Sequence, residues 1–256
     1  MPSRAVVAPA LAALALLLPR AALAGPALPP MPDRLAPMVR AVPMTARVVA
    51  LTFDDGPSPR YTQAILDALR QDHARATFFV VGQEAVRLPA LVRAEAKAGM
   101  EVANHGMHHR ILRGRTASEV ESEANEGADV IRTLTGRRPH LYRLPQGVGD
   151  TTALQVLGRL GYVVIAWSVD TRDYLRQSPG ALVTRALGQV APGRIIIFHD
   201  GGGNRQATVE AVRILLPRLR AEGYTVTTVS DLLGRAGYRA PGAPAQIAAE
   251  DLRRSI

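Results

Sequence analysis

From residue 47 onward the chain alternates between two hydrophobic rhythms. Short β-branched apolar runs at residues 48–51, 76–81, 100–103, 140–144, 162–169, 194–198 and 225–229 read as strands. The first of them, Val48-Val49-Ala50-Leu51, has no polar position to turn outward, as expected of a strand buried on both faces. Between the runs lie stretches with apolar positions three and four apart, which predict helices over residues 59–72, 88–98, 117–136, 151–160, 179–188 and 206–222. Ser58-Pro59 and Ser178-Pro179 each supply an N-cap followed by a proline at the first helical position. Thr116 with Glu119 forms a capping box, and Pro217 is expected to kink the helix that contains it.

Alternating strand and helix argues for a parallel α/β fold. The polar residues fall in a telling place. Asp54, Asp55, His105, Arg143, Asp170, Asp173 and His199 all sit at or just past the end of an expected strand. In a β/α barrel those ends converge on one mouth, where the chemistry is carried.

The flanks differ in composition. Residues 1–24 have the pattern of a secretory signal: Arg4, an uncharged apolar stretch, then Ala22-Leu23-Ala24 before Gly25. That stretch is too short for an ordinary transmembrane helix, so no membrane span is expected after cleavage, and the expected location is secreted, periplasmic or cell envelope. Residues 25–46 hold six prolines and read as an extended linker, residues 47–235 as a single globular domain, and residues 236–256 as a Pro- and Ala-containing peripheral tail. The chain has no cysteine, which excludes disulfides, thiolate nucleophiles and thiolate metal ligands. A formal charge of +9, mostly arginine spread over helices, suits an anionic partner such as a cell-wall polymer. Aromatic residues are only 4% and no basic cluster is interleaved with them, so nucleic acid is not expected as a partner.

Two adjacent carboxylates, Asp54 and Asp55, followed by Gly56-Pro57, are costly to desolvate unless a cation sits beside them. Taken alone they also fit a solvated turn. His105 and His109 are four apart, which on a helical turn would put both rings on one face. Two imidazoles and one carboxylate suit a hard-to-borderline divalent metal, zinc above all, with positions left for water and substrate. His108 is the alternative second imidazole, since three-residue spacing also shares a helix face.

The ordered set TFDDGP, NHGMHH, YRLPQG, WSVDTRDY and IIIFHD resembles the five motifs of the polysaccharide deacetylase family, the NodB-homology domain of carbohydrate esterase family 4. The likeness covers about residues 47–233, and its first motif is the most specific. It implies a distorted (β/α)7 TIM-like barrel in a single domain. It also implies Asp54 as general base, Asp55, His105 and His109 as ligands of Zn2+ (or another divalent ion such as Co2+), and Arg143 as the residue that orients the base. His199 would be the general acid, held in its tautomer by Asp173. The backbone N–H of Gln146 becomes a candidate oxyanion donor, and Tyr174 and Ile197 would shape the acetyl-methyl pocket. Gly106 stands where the family usually has Ser or Thr, so a loop-stabilising hydroxyl is missing and a looser metal site is expected. Leu144 and Gln146 stand where Pro and an aromatic are usual.

The resemblance implies a hydrolase that removes N-acetyl groups from an acetylated polysaccharide such as peptidoglycan, chitin-type oligomers or an exopolysaccharide. An O-acetyl esterase acting on xylan or another glycan would use the same site chemistry. A non-catalytic glycan-binding protein is the reading from another class, marked by loss of a base, ligand or acid, and all of those are present here. No feature of the sequence sets an oligomeric state.

Overall fold

The computed structural model describes residues 35–236. Its strands are β1 (Met38–Val39), β2 (Val48–Asp54), β3 (Thr77–Val80), β4 (Glu101–Asn104), β5 (Leu141–Tyr142), β6 (Val163–Ile165), β7 (Val169–Asp170), β8 (Ile195–His199) and β9 (Thr225–Thr227). Its helices are α1 (Thr62–Gln71), α2 (Gly82–Arg87), α3 (Pro89–Lys97), α4 (Ala117–Thr135), α5 (Thr151–Arg159), α6 (Pro179–Leu187), α7 (Gln206–Ala221) and α8 (Val229–Arg235). The named strands pair only in parallel, in the order β1-β6-β5-β4-β3-β2-β8-β7, with β9 joined to β2. This is the expected distorted β/α barrel.

Closure of the sheet accounts for one departure from the sequence pattern. Residues 162–169 read as one strand but form two, because the segment changes partner along its length. Val164 and Ala166 donate to Pro37 and Val39, whereas Ser168 donates to Ile195. β6 therefore lies between β1 and β5 toward one end of the sheet, β7 is the edge strand at the other end, and residues 166–168 cross the seam. Across the same seam, Ala41 bridges Arg194 and the Val42 amide donates to Gly193. Residues 35–46, expected within the linker, thus carry a barrel strand, and Val39 and Val42 are buried in the interior cluster. The expected signal segment and nearly all of the C-terminal tail lie outside the described residues.

Strand periodicity sorts the core into layers. On β2, Val49, Leu51 and Phe53 face the outer helices, where Phe53 stacks on Phe78 at 5.0 Å and packs against Phe198 at 6.2 Å. Val48 and Ala50 face inward with Phe79, Ala103, Leu141, Ile165 and Ile195, and α8 closes that cluster with Val229 and Leu232. Burying each such large side chain contributes about 1.5–3 kcal/mol. Further along the same inward row come Thr52 and Asp54, so the barrel interior turns polar toward its C-terminal mouth.

Local signals were partly right. Thr116 and Glu119 form the capping box of α4, which ends at Gly136 in the left-handed region (φ 76°). Ser178 caps α6 ahead of Pro179. Ser58 instead accepts from the Tyr61 amide in a turn, and α1 starts only at Thr62. The helix expected over residues 88–98 is α3, preceded by α2. Val229, expected at a strand end, opens α8. Pro217 lies inside α7 without ending it. Among the described residues no helix is long and apolar enough to cross a membrane.

Candidate active site

Parallel register brings the site together. Asp54 at the end of β2 pairs directly with His199 at the end of β8, and both belong to the inward row. Arg143 follows β5, where Leu141 points into the barrel and Tyr142 away, so its side chain also turns inward. It is fully buried. Its Nη1 donates to Asp54 Oδ1 and to Thr52 Oγ1, both at 2.7 Å, while Nε and Nη2 donate to the carbonyls of Ile165 and Ala166. The guanidinium lies 4.0 Å from the Phe79 ring centroid. Burial pulls its pKa below the usual arginine value, and the Asp54 carboxylate opposes that pull. With Oδ1 held by Arg143, Asp54 Oδ2 is the oxygen that faces the imidazoles, 3.9 Å from His105 Nε2.

Asp55, His105 and His109 converge: one donor atom from each lies within 4.8 Å of the others. His105 Nδ1 is 2.8 Å from the Arg143 carbonyl. A carbonyl can only accept, so Nδ1 carries a hydrogen and Nε2 is the atom available to a cation, 3.4 Å from Asp55 Oδ1. His109 Nε2 is 3.1 Å from the same oxygen. Burial works against the Asp55 anion, but the hydrogen bonds from His105 and His109 outweigh it and hold its pKa far below the carboxylate range. The His109 pKa is raised in return, chiefly by its hydrogen bond to Asp55. One carboxylate oxygen and two imidazole nitrogens on a single locus fit a divalent metal ion.

The expected helical turn is absent. His105 follows β4 and His109 sits in a loop with φ 57°, so the four-residue spacing works through a bend in the chain rather than a helix face. His108 turns away, with Nδ1 3.1 Å from Glu123 Oε2. Nor is the loop left slack by Gly106. Glu123 of α4 accepts from the amides of His108 (2.5 Å) and Arg110 (3.4 Å) through Oε1, and its carbonyl accepts from Met107. This buried carboxylate ties down the loop where a hydroxyl at residue 106 was missed.

At the end of β8 His199 Nδ1 lies 2.7 Å from Asp173 Oδ1, while Asp173 Oδ2 accepts from the His199 amide and from Thr208 Oγ1. Burial disfavours the imidazolium, yet the Asp173 carboxylate, with Asp54 and Asp55 beyond it, raises the His199 pKa above its usual value. Tyr174 presents its ring edge-on to His199, centroids 5.8 Å apart, and is 48% exposed. Ile197 lies in the inward row of β8, two residues before His199, and is buried. Gln146 is exposed at the rim with φ 56°, and the amides after it, of Gly147 and Val148, bond within their own turn. Asp170 Oδ1 accepts from the Arg172 amide and so caps its loop.

Six described non-glycine residues have positive φ, and five of them lie in these loops: Asp55, His109, Gln146, Arg172 and Arg176. Such backbone persists only where surrounding structure enforces it, and it clusters at functional sites. The sequence reading missed Glu123, Thr208 and the Gly201-Gly202 pair. A Cβ on Gly202 would lie 2.5 Å from Asp55 Oδ2, so glycine there lets the backbone press against the metal-site carboxylate. Arg205 pins that turn by donating to the Gly201 and Gly202 carbonyls. Asp200 is buried below, bonded to Thr62, its pKa pushed up to about 7 by burial, with Asp55 and Asp54 adding. The run of three glycines after His199 was the available signal for this turn.

Known proteins resemble the chain in sequence and in fold. The family model for polysaccharide deacetylase matches residues 41–165. The chain is 36% identical over 194 residues to a peptidoglycan-N-acetylglucosamine deacetylase of Bacillus cereus, covering 75% of this chain and 91% of that one. It is 34% identical to a chitooligosaccharide deacetylase of a Bradyrhizobium species, covering 73% and 90% respectively. The crystal structure of the Bc1960 peptidoglycan N-acetylglucosamine deacetylase superposes with a TM-score of 0.74 at 30% identity, over 76% of this chain and 92% of that one. Fold, motif order and these likenesses together show that the chain belongs to the polysaccharide deacetylase family.

Proposed function

We propose that the protein is a zinc-dependent deacetylase that hydrolyses N-acetyl groups on an amino-sugar polysaccharide of the cell envelope, exported by the segment at residues 1–24. The observation that carries this reading is that two oppositely built pairs, joined through the Asp54–His199 register, lie at the strand ends beside one metal-type cluster. Arg143 holds Asp54 as an acceptor, and Asp173 holds His199 as a donor. Bound by Asp55, His105 and His109, zinc would supply Lewis acidity at the acetamide carbonyl and ease the ionisation of water.

The protein groups then divide the proton work. Asp54 takes a proton from the attacking water on Oδ2, since Arg143 engages Oδ1. The Gln146 N–H donates to the oxygen on which negative charge develops. His199, its Nδ1 bonded to Asp173, presents Nε2–H outward and delivers that proton to the departing amine nitrogen. The C–N bond breaks, leaving acetate and a free amino sugar. Tyr174 and Ile197 line the space for the acetyl methyl group.

The test is product stoichiometry on N-acetylglucosamine oligomers, on peptidoglycan and on acetylated xylan. One acetate released per new primary amine supports the reading. Acetate released only from the xylan ester would replace it with an O-acetyl esterase, and release from none would leave a binding protein.

A further inference from the structure

We infer that the mouth takes a glycan bearing carboxylates, a peptidoglycan strand with its peptide-stem acids or, where a stem is absent, its free lactyl acids, in preference to a neutral amino-sugar oligomer; this rests on the deacetylase reading above. The loops after β2, β4, β5, β7 and β8 form the rim. They carry Arg60, Arg110, Arg113, Arg172 and Arg176, all exposed and in no ion pair among the described residues, while Arg115 beside them is paired with Glu119 of α4. The carboxylates in these loops are buried or half-buried, and each is engaged by a neighbouring group. Asp54 is held by Arg143, Asp55 by the imidazoles, Asp173 by His199 and Asp200 by Thr62. Asp150 caps α5, and Asp170 caps the Arg172 turn. Elsewhere on the barrel Arg75, Arg138 and Arg220 meet Asp231, Asp129 and Asp72, and exposed arginines in no ion pair among the described residues, Arg213 for one, stand among exposed carboxylates such as Glu121 and Glu222.

The rim arginines are also held in place. Arg172 and Arg176, with φ 56° and 53°, bracket the turn Asp173–Leu175 that sets Asp173 and Tyr174 against His199. Arg110 follows His109, and its amide is bonded to Glu123. Cations at such positions flank whatever sugar lies at the site. A row of one sign around a cleft raises the capture rate of oppositely charged ligands by about 10- to 1,000-fold at low salt, an effect screened over about 10 Å at 0.1 M.

The experiment compares solubilised peptidoglycan strands, the same strands with their carboxylates amidated, and N-acetylglucosamine oligomers. Both kcat/KM for acetate release and direct binding of labelled strands are measured from low to moderate salt. Native strands are expected to exceed amidated ones by about tenfold at low salt, with the advantage fading as salt rises. The combined variant Arg110→Gln, Arg172→Gln, Arg176→Gln should collapse the native-to-amidated ratio, and Arg213→Gln on the outer face of α7 should not. Equal kcat/KM and equal binding for native and amidated strands, unmoved by salt or by the triple variant, would overturn the inference. Binding that discriminates the two strands without acetate release would keep the inference and overturn the deacetylase reading. Tighter binding of a DNA oligomer than of native strands would overturn it in favour of nucleic acid.

Discussion

Glu123 and Gly106 compete for one volume: a Cβ on residue 106 would lie 2.9 Å from Glu123 Oε1, 3.2 Å from its Cγ and 3.0 Å from the Tyr142 hydroxyl. In this chain the buried carboxylate of α4 fastens the loop and fills the space a side chain at residue 106 would need. Restoring the hydroxyl by Gly106→Ser should harm the protein. It overpacks a filled site and places an L-residue at φ 83°, so a loss of about 1–3 kcal/mol is expected in urea unfolding. Glu123→Ala should free the loop and weaken zinc binding about 10- to 100-fold by chelator competition.

The His199–Asp173 pair predicts a pH signature. Because Asp173 raises the His199 pKa, the proton-donating form persists above the usual imidazole range, and activity falls as pH rises through the raised value. In Asp173→Asn the alkaline limb of kcat should move to lower pH, and kcat should drop about 100- to 10,000-fold. An unmoved limb would show that another group supplies the proton.

Glu95 on α3 is a different case, since it takes no part in the site. It is wholly buried, and neither carboxyl oxygen has a hydrogen-bond partner among the described residues. Burial, with Asp200 nearby, raises its pKa well above the ordinary 4.5. The folded chain thus keeps a proton that the unfolded chain releases, and stability declines as pH rises above about 4.5 toward the raised value. Glu95→Leu should raise stability by about 1–3 kcal/mol near neutral pH and remove that part of the pH slope in denaturant titrations.

How much of this was legible in the sequence follows from the range of each interaction. The strand ends carrying Asp54, His105, Arg143 and His199 were readable because β-branched runs stop where polar residues begin. The barrel follows from their alternation with helices. The strand at Met38–Val39 was not readable, since a two-residue strand in a Pro-rich segment has no periodicity; it exists because β6 leaves an unpaired edge. Glu123 and Thr208 were invisible for a related reason. Each looks like an ordinary helix residue, and each gains its role only when α4 and α7 dock against a loop or an acid remote in sequence. The His105–His109 spacing pointed to the right locus through the wrong geometry, because a loop with a left-handed residue can converge two rings as well as a helix does.

The most direct measurement is acetate release from N-acetylglucosamine oligomers and peptidoglycan strands by metal-stripped protein, before and after zinc is restored, for the wild type and Asp54→Asn, with bound zinc quantified in each. Turnover should vanish on stripping and return with zinc in the wild type. Asp54→Asn should bind zinc yet lose about 100- to 10,000-fold in kcat, as expected of a missing general base. Full turnover by the stripped protein, or by zinc-loaded Asp54→Asn, would contradict the account.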